Sequence, residues 1–361
     1  MHLSRAPRFL ECHEGRTLCA VARSIARLKA FDYAGPHDRV RPYDGSLFFV
    51  PDDTLVRADA DALGVRSVND LFGGIVPHPF VQTKVISHPL IDRSAARPNG
   101  WSTAFTAGVQ GVVLPGYSAF ARENARRAAQ HMLQHGVVRA KPPRAAGGRG
   151  QRLLRSMHEA DALLADIDDR DLATHGLVFE LHLDDATTLS LGRVTLDDAT
   201  IAYYGRQRQT RDNADRSVYG GSELTCVRGG WTALEQHRLD EAVRAAVRQV
   251  RVYDDAMSEY GVIASRRNYD VGQGVDAQRR PRSGVFEASW RAGGATPAEV
   301  AALEAFAADP ALEVVHASTV EAYGRDAVPP RGAAVQFHGD DPDAGPVLRY
   351  SMVRATPTKA S

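Results

Sequence analysis

The chain of 361 residues has little cysteine, no excess of charge of either sign and no long apolar run. Its three cysteines, Cys12, Cys19 and Cys226, have no paired spacing, so a disulfide framework is not expected. Cys12, His13 and Cys19 lie close together, but a zinc site needs further ligands at regular spacing, and free thiols in a reduced compartment are expected instead. Lysine plus arginine equals aspartate plus glutamate at 44 each. A net charge of zero argues against a generally basic nucleic-acid binder, whose affinity rests on neutralising phosphates. No segment approaches the roughly 20 apolar residues that span a bilayer. The N-terminus, MHLSRAPRFLECHEG, lacks the apolar core of a signal peptide. A cytoplasmic protein with neither membrane nor nucleic acid as partner is expected. There is also no internal repeat, no low-complexity tract and no GxxxxGK[ST] phosphate loop.

What is present is an ordinary globular composition, 43% hydrophobic and 24% charged, long enough for two or three domains. Leu18, Val21, Ile25 and Leu28 recur at helical spacing within 16–31. A short strand over 46–51 and a helix near 58–63 complete a predicted α/β unit over 1–80. Prolines 77, 79, 89 and 98 predict loop or extended backbone over 74–100, around Lys84. Strands are predicted over 111–115, 137–141, 177–183, 189–196 and 200–204. Helices are predicted over 119–134, capped by Ser118, and over 151–166. A polar loop over 206–222, a long helix over 232–259 and a hairpin of 262–271 with 283–290 follow. A helix over 297–307 and a strand over 312–316 come last. The fold class is therefore α/β (α+β). The expected division is 1–80, a central or lid unit 81–175, a larger unit 176–350 and a tail 351–361.

Three features carry chemistry. Residues 141–150 read KPPRAAGGRG. Glycines let backbone N–H groups approach an anion, and a lysine adds a point charge. Lys141, Gly147, Gly148 and Gly150 are thus phosphate-binding candidates, though a plain glycine turn fits the segment equally. Counting around the turn at 278–282 puts Asp270 roughly opposite Glu287 and Ala288. Two carboxylates level on one face can share a magnesium ion, unless the register slips by one residue. A solvated cross-strand pair is the other reading. Arg291 lies just beyond, within reach of a terminal phosphate. Glu180, at the end of a strand, could meet an adenine or ribose edge, and equally reads as an exposed strand residue. Arg206, Arg208 and Arg211 form a cationic loop suited to an anionic substrate, or else balance Asp212 and Asp215 in solvent.

In this order the features resemble the ATP-grasp superfamily, over about residues 80–300. Its members carry an early lysine, a hydrophobic–Lys–Pro strand with a glycine-rich lid, an acidic hinge and a metal-binding Glu-x-Asn-x-Arg. Lys84 resembles the first lysine, Lys141 the second, and Gly147, Gly148 and Gly150 the lid. Glu180 resembles the hinge acid, Asp270 and Glu287 the metal carboxylates, and Arg291 the trailing arginine. Ser289 stands where the asparagine is expected and offers only a hydroxyl oxygen as metal ligand. The chain resembles the glutathione-synthetase-like ATP-binding type and also a proteobacterial family within the superfamily, which implies no particular substrate. The resemblance implies two α+β subdomains gripping ATP and Mg2+ or Mn2+, with a small domain ahead of them. The implied activity is a ligase joining a small-molecule carboxylate to an amine or thiol through an acylphosphate, with Lys141 and Arg291 as catalytic groups. A non-catalytic nucleotide-binding protein and a kinase are the alternatives. A homodimer is compatible with the resemblance.

Overall fold

The computed structural model describes residues 1–3, 7–142 and 150–355. At the start β1 (His2–Leu3) pairs in parallel with β2 (Val50–Pro51), flanking α1 (His13–Leu28). The helical spacing of Leu18, Val21 and Ile25 buries one face of α1. β3 (Leu55–Val56), α2 (Arg57–Ala62) and β4 (Gly74–Val76) follow. Their sheet is completed by Ile263–Ala264, from far down the chain, so residues 1–80 do not close on themselves. The proline-rich stretch that follows holds only two 3-10 turns, Pro79–Gln82 and Lys84–Ser87.

The next unit contains α3 (Thr103–Val109), β5 (Gly116–Ala119), α4 (Arg122–Leu133), β6 (Val138–Lys141), β7 (Arg152–Leu154), α5 (Met157–Ala165), α6 (Asp169–His175) and β8 (Leu177–Leu181). Four strands form an antiparallel sheet in the order β5-β8-β6-β7. The strand predicted at 111–115 lies instead after Pro115, where 116–119 pair with β8. Ser118 is therefore a strand residue, donating to the Val85 carbonyl at 2.5 Å, and does not cap a helix. Residues 152–154, expected to be helical, pair with β6. Ser156 then caps α5 by accepting from the Glu159 amide. A boundary at 175/176 would cut off β8, whose ladders to β5 and β6 bind it to this sheet. Gly147 and Gly148 lie outside the described residues, whereas Gly150 sits at φ 72, where glycine is unstrained.

The remainder is built on β9 (Asp184–Leu196), β10 (Ala199–Arg211), β11 (Ser217–Arg228), α7 (Trp231–Gln236), α8 (Glu241–Ala256), β12 (Ile263–Ala264), β13 (Arg266–Val275), β14 (Pro281–Ser289), α9 (Thr296–Ala308), β15 (Val314–Tyr323), β16 (Ala334–Asp341) and β17 (Gly345–Ala355). Eight of these strands form one sheet in the order β14-β13-β9-β10-β11-β15-β17-β16. The expected polar loop 206–222 is a long hairpin, because β10 and β11 pair along almost their whole length. The expected helix 232–259 is two helices. Asp240 caps the second by accepting from the Val243 amide at 2.8 Å.

Alternation along β9 and β10 sends Leu189, Leu191 and Ala202 into one core, with Val247, Val250 and Tyr253 of α8. Val194, Ile201 and Tyr203 enter a second core, with Ile25 of α1 and Leu303 and Phe306 of α9. Among the described residues no helix is long and apolar enough to cross a membrane.

Candidate functional site

β13 and β14 set Asp270 directly opposite Glu287, and Asn268 opposite Ser289. The register then jumps, with Val271 opposite Val285, which leaves Phe286 as the extra residue of a β-bulge. The bulge lets Phe286 lie over β13 at Gly272. A Cβ there would meet the ring at 1.7 Å, so only glycine leaves the space.

Four buried side chains from the preceding sheet and the 3-10 turns close on this pair. Lys84 Nζ lies 3.0 Å from Glu287 Oε2. Lys141, at the end of β6, lies 2.5 Å from Glu180 Oε1 and 4.4 Å from the centroid of the Phe286 ring. His88 Nε2 holds the other Glu180 oxygen at 3.1 Å. Behind them Gln207 Nε2 donates to Asp270 Oδ1 at 2.9 Å.

Burial, then the charge of Glu287, pushes Asp270 from its ordinary 3.8 to about 6, against the hydrogen bonds from Gln207 and Ser190 and the charge of Lys84. Burial likewise pulls Lys141 below its ordinary range, more than Glu180 restores. Glu180 is held below the usual carboxylate range, because Lys141 and His88 outweigh its burial. The pair is unequal: Glu180 receives two donors, whereas Lys141 also faces Lys84.

A divalent cation fits this donor set. Asp270 and Glu287 supply two carboxylates whose mutual repulsion a dication relieves, and Ser190, Ser289 and Asn268 add hard oxygens nearby. No group of three or more His, Cys, Asp or Glu forms a metal cluster among the described residues. Magnesium suits such a site, since it is commonly held by one or two carboxylates with water and phosphate oxygens.

Other expected residues fall differently. Both oxygens of Glu180 lie against partners inside the protein, so in this structure it is the ion-pair partner of Lys141 and His88. Arg291 follows β14, and its Nη1 donates to the Ala292 carbonyl at 2.9 Å. Arg206 and Arg208 alternate with Gln207 and so lie on the opposite face of the sheet from Asp270. Arg208 pairs with Glu223 at 3.2 Å, and Arg211 donates to the Asp215 carbonyl at 2.7 Å. The structure does not bring these three arginines to the carboxylates. Sequence reasoning missed His88, Ser190, Gln207 and Phe286. A cavity of about 480 Å³ between α1 and residues 43–50 shares no lining residue with this centre.

Residues 4–351 match the model of a family described as protein of unknown function, DUF3182. The chain belongs to that family. No curated protein matches the sequence. Solved structures do match along nearly all of it. Phosphoribosylamine–glycine ligase from Thermotoga maritima is 14% identical, with 99% of this chain and 93% of that one covered and a TM-score of 0.53. The biotin carboxylase domain of Hydrogenobacter thermophilus 2-oxoglutarate carboxylase, solved with MgADP and bicarbonate, is 12% identical, with 99% and 86% covered and a TM-score of 0.52. Campylobacter jejuni biotin carboxylase, solved as a β-γ-ATP complex, is 11% identical, with 98% and 87% covered and a TM-score of 0.51. The DUF3182 chain has the ATP-grasp fold, as the order of its residues implied.

Proposed function

We propose that this protein is an ATP- and Mg2+-dependent ligase joining a small-molecule carboxylate to an amine. The observation that carries this reading is the Asp270–Glu287 register pair, held against Lys84 and adjoining the buried Lys141–Glu180 pair. Two carboxylates for a cation and two lysines for phosphate oxygens are what positioning a nucleoside triphosphate requires.

Asp270 and Glu287 would hold magnesium, which when bound neutralises charge on phosphate oxygens. Lys84 and Lys141 are pre-positioned by their carboxylate partners and offer cationic N–H groups to the same phosphates. Arg291 stabilises charge on the transferred phosphoryl group. The substrate carboxylate oxygen attacks the γ-phosphorus, the bond to the β–γ bridging oxygen breaks, and ADP leaves. The amine nitrogen then attacks the acyl carbon, phosphate leaves with the electrons of the C–O bond, and nitrogen gives up a proton. The protein contributes position and charge at each stage.

Glu287→Gln and Lys141→Met test the assignment. Each should lower ADP release at least about 100-fold, the scale of losing a charge-stabilising group at a reacting phosphate. Wild-type ADP release in both variants would refute it, and so would the absence of any thermal shift when the wild-type protein is titrated with Mg2+ and ATP.

A further inference from the structure

Ser289 provides a hydroxyl where the resemblance leads one to expect an amide, and the strand opposite supplies an amide. Asn268 is the register partner of Ser289 and lies two residues before Asp270, on the same face of β13. Its orientation is fixed by a chain of donors and acceptors that starts in the core. Arg266 donates to Glu299 from Nε at 2.8 Å and from Nη2 at 2.7 Å, and both residues are buried. A carboxylate gripped this way is an acceptor only. Tyr203 must therefore donate its single proton to Glu299 Oε1, at 2.5 Å. Its oxygen is then left to accept from Asn268 Nδ2, at 3.1 Å. The same nitrogen lies 2.8 Å from Ser190 Oγ and 3.4 Å from the Leu191 carbonyl, which can only accept.

The nitrogen end of the amide thus lies over β9 and β10. β13 runs between β9 and β14, with Ser289 opposite Asn268 on β14, and none of these bonds uses the amide oxygen. Tyr203 and the Leu191 carbonyl thus select the nitrogen end, and the face of β13 that carries this amide also carries Asp270.

We propose that Asn268 Oδ1 is the amide-oxygen ligand of the divalent cation held by Asp270 and Glu287, supplying from β13 what residue 289 no longer supplies from β14. This rests on the nucleotide–metal reading above. Tyr203, Glu299 and Arg266 act through Asn268 and are positioning residues.

The test is a titration of the full chain with Mn2+ in the presence of a nonhydrolysable ATP analogue, with free Mn2+ read by its electron paramagnetic resonance signal. Asn268→Ala should weaken Mn2+ binding about tenfold or more, on the scale of losing a group that orders a metal site. The double variant Asn268→Ala with Ser289→Asn moves the amide to the other strand and should recover most of that loss. Asp270→Asn should abolish binding. If Asn268→Ala binds Mn2+ like the wild type while Asp270→Asn does not, the Asn268 assignment is overturned and the metal site stands. Failure of the double variant to recover binding would make the amide a packing residue and overturn the assignment too. If Asp270→Asn also binds like the wild type, the metal site falls, and the proposed function with it. Urea unfolding of each variant separates lost ligation from lost fold.

Discussion

Asp270→Asn should make the metal-free protein more stable, although it removes a group placed at the centre of the site. An acid whose pKa is raised on folding holds its proton more tightly in the folded state. Its ionised form therefore works against folding, in full above the folded value and progressively less as pH falls toward the unfolded one. The rise from 3.8 to about 6 corresponds to at most about 3 kcal/mol at neutral pH. Asp270 is only half-buried, so solvent screens part of this, and a gain of about 1–2 kcal/mol is expected at pH 7.5. Asparagine has the same shape, and its oxygen can still accept from Gln207. The assay is urea denaturation in EDTA. By linkage the gain should shrink to about a third at pH 4.5, where the folded wild type is mostly protonated. Added Mg2+ and ATP should reverse the order, stabilising the wild type and not the variant. A variant less stable than the wild type at pH 7.5 in EDTA, or a difference that does not change between the two pH values, would refute the reasoning.

Glu180→Gln should cost about 3–5 kcal/mol at pH 7, because it leaves Lys141 buried without its carboxylate. A lysine depressed by burial opposes folding while it is charged, so the loss should shrink as pH rises toward 10. Equal urea midpoint shifts at pH 7 and 9.5 would count against this. Burial lowers the pKa of His13, but the hydrogen bond and charge of Glu321, with Asp341, outweigh it and raise the value above 6.5. Its contribution to stability is therefore complete below pH 6.5 and lost as pH rises through the raised value. His13→Asn should flatten that decline, measured by unfolding at pH 6 and 8.5, and an unchanged slope would contradict it.

The level placement of Asp270 and Glu287 was legible by counting around a turn, since the side-chain period of a strand is two. The bulge at Phe286 was not, because it depends on a ring lying over Gly272 in another strand. Lys141 was legible as a strand-end lysine, but its pairing with Glu180 was not. Glu180 lies opposite Arg139, hence on the face of Lys141, only because β8 runs beside β6. The hairpin of β10 and β11 read as loop because its residues are polar and its order comes from flanking strands. β16 and β17 went unpredicted for a related reason: β16 is largely exposed and lacks an apolar face to mark it. The ATP-grasp resemblance, carried by residue order, named the fold that the structural likenesses bear out.

The backbone amide and Nδ1 of His13 both bond to Asp341 Oδ2, 328 residues further along the chain. At a synthesis rate of 5–20 residues per second, roughly 15 to 65 s separate the two groups during translation. Over that interval Leu18, Val21 and Ile25 of α1 wait for Leu303 and Phe306 of α9 and for the last hairpin. The first helix to leave the ribosome is among the last to find its place. A nascent chain stopped short of residue 303 therefore holds the apolar face of α1 without Leu303 and Phe306 to cover it, and is the species that chaperones would have to shelter.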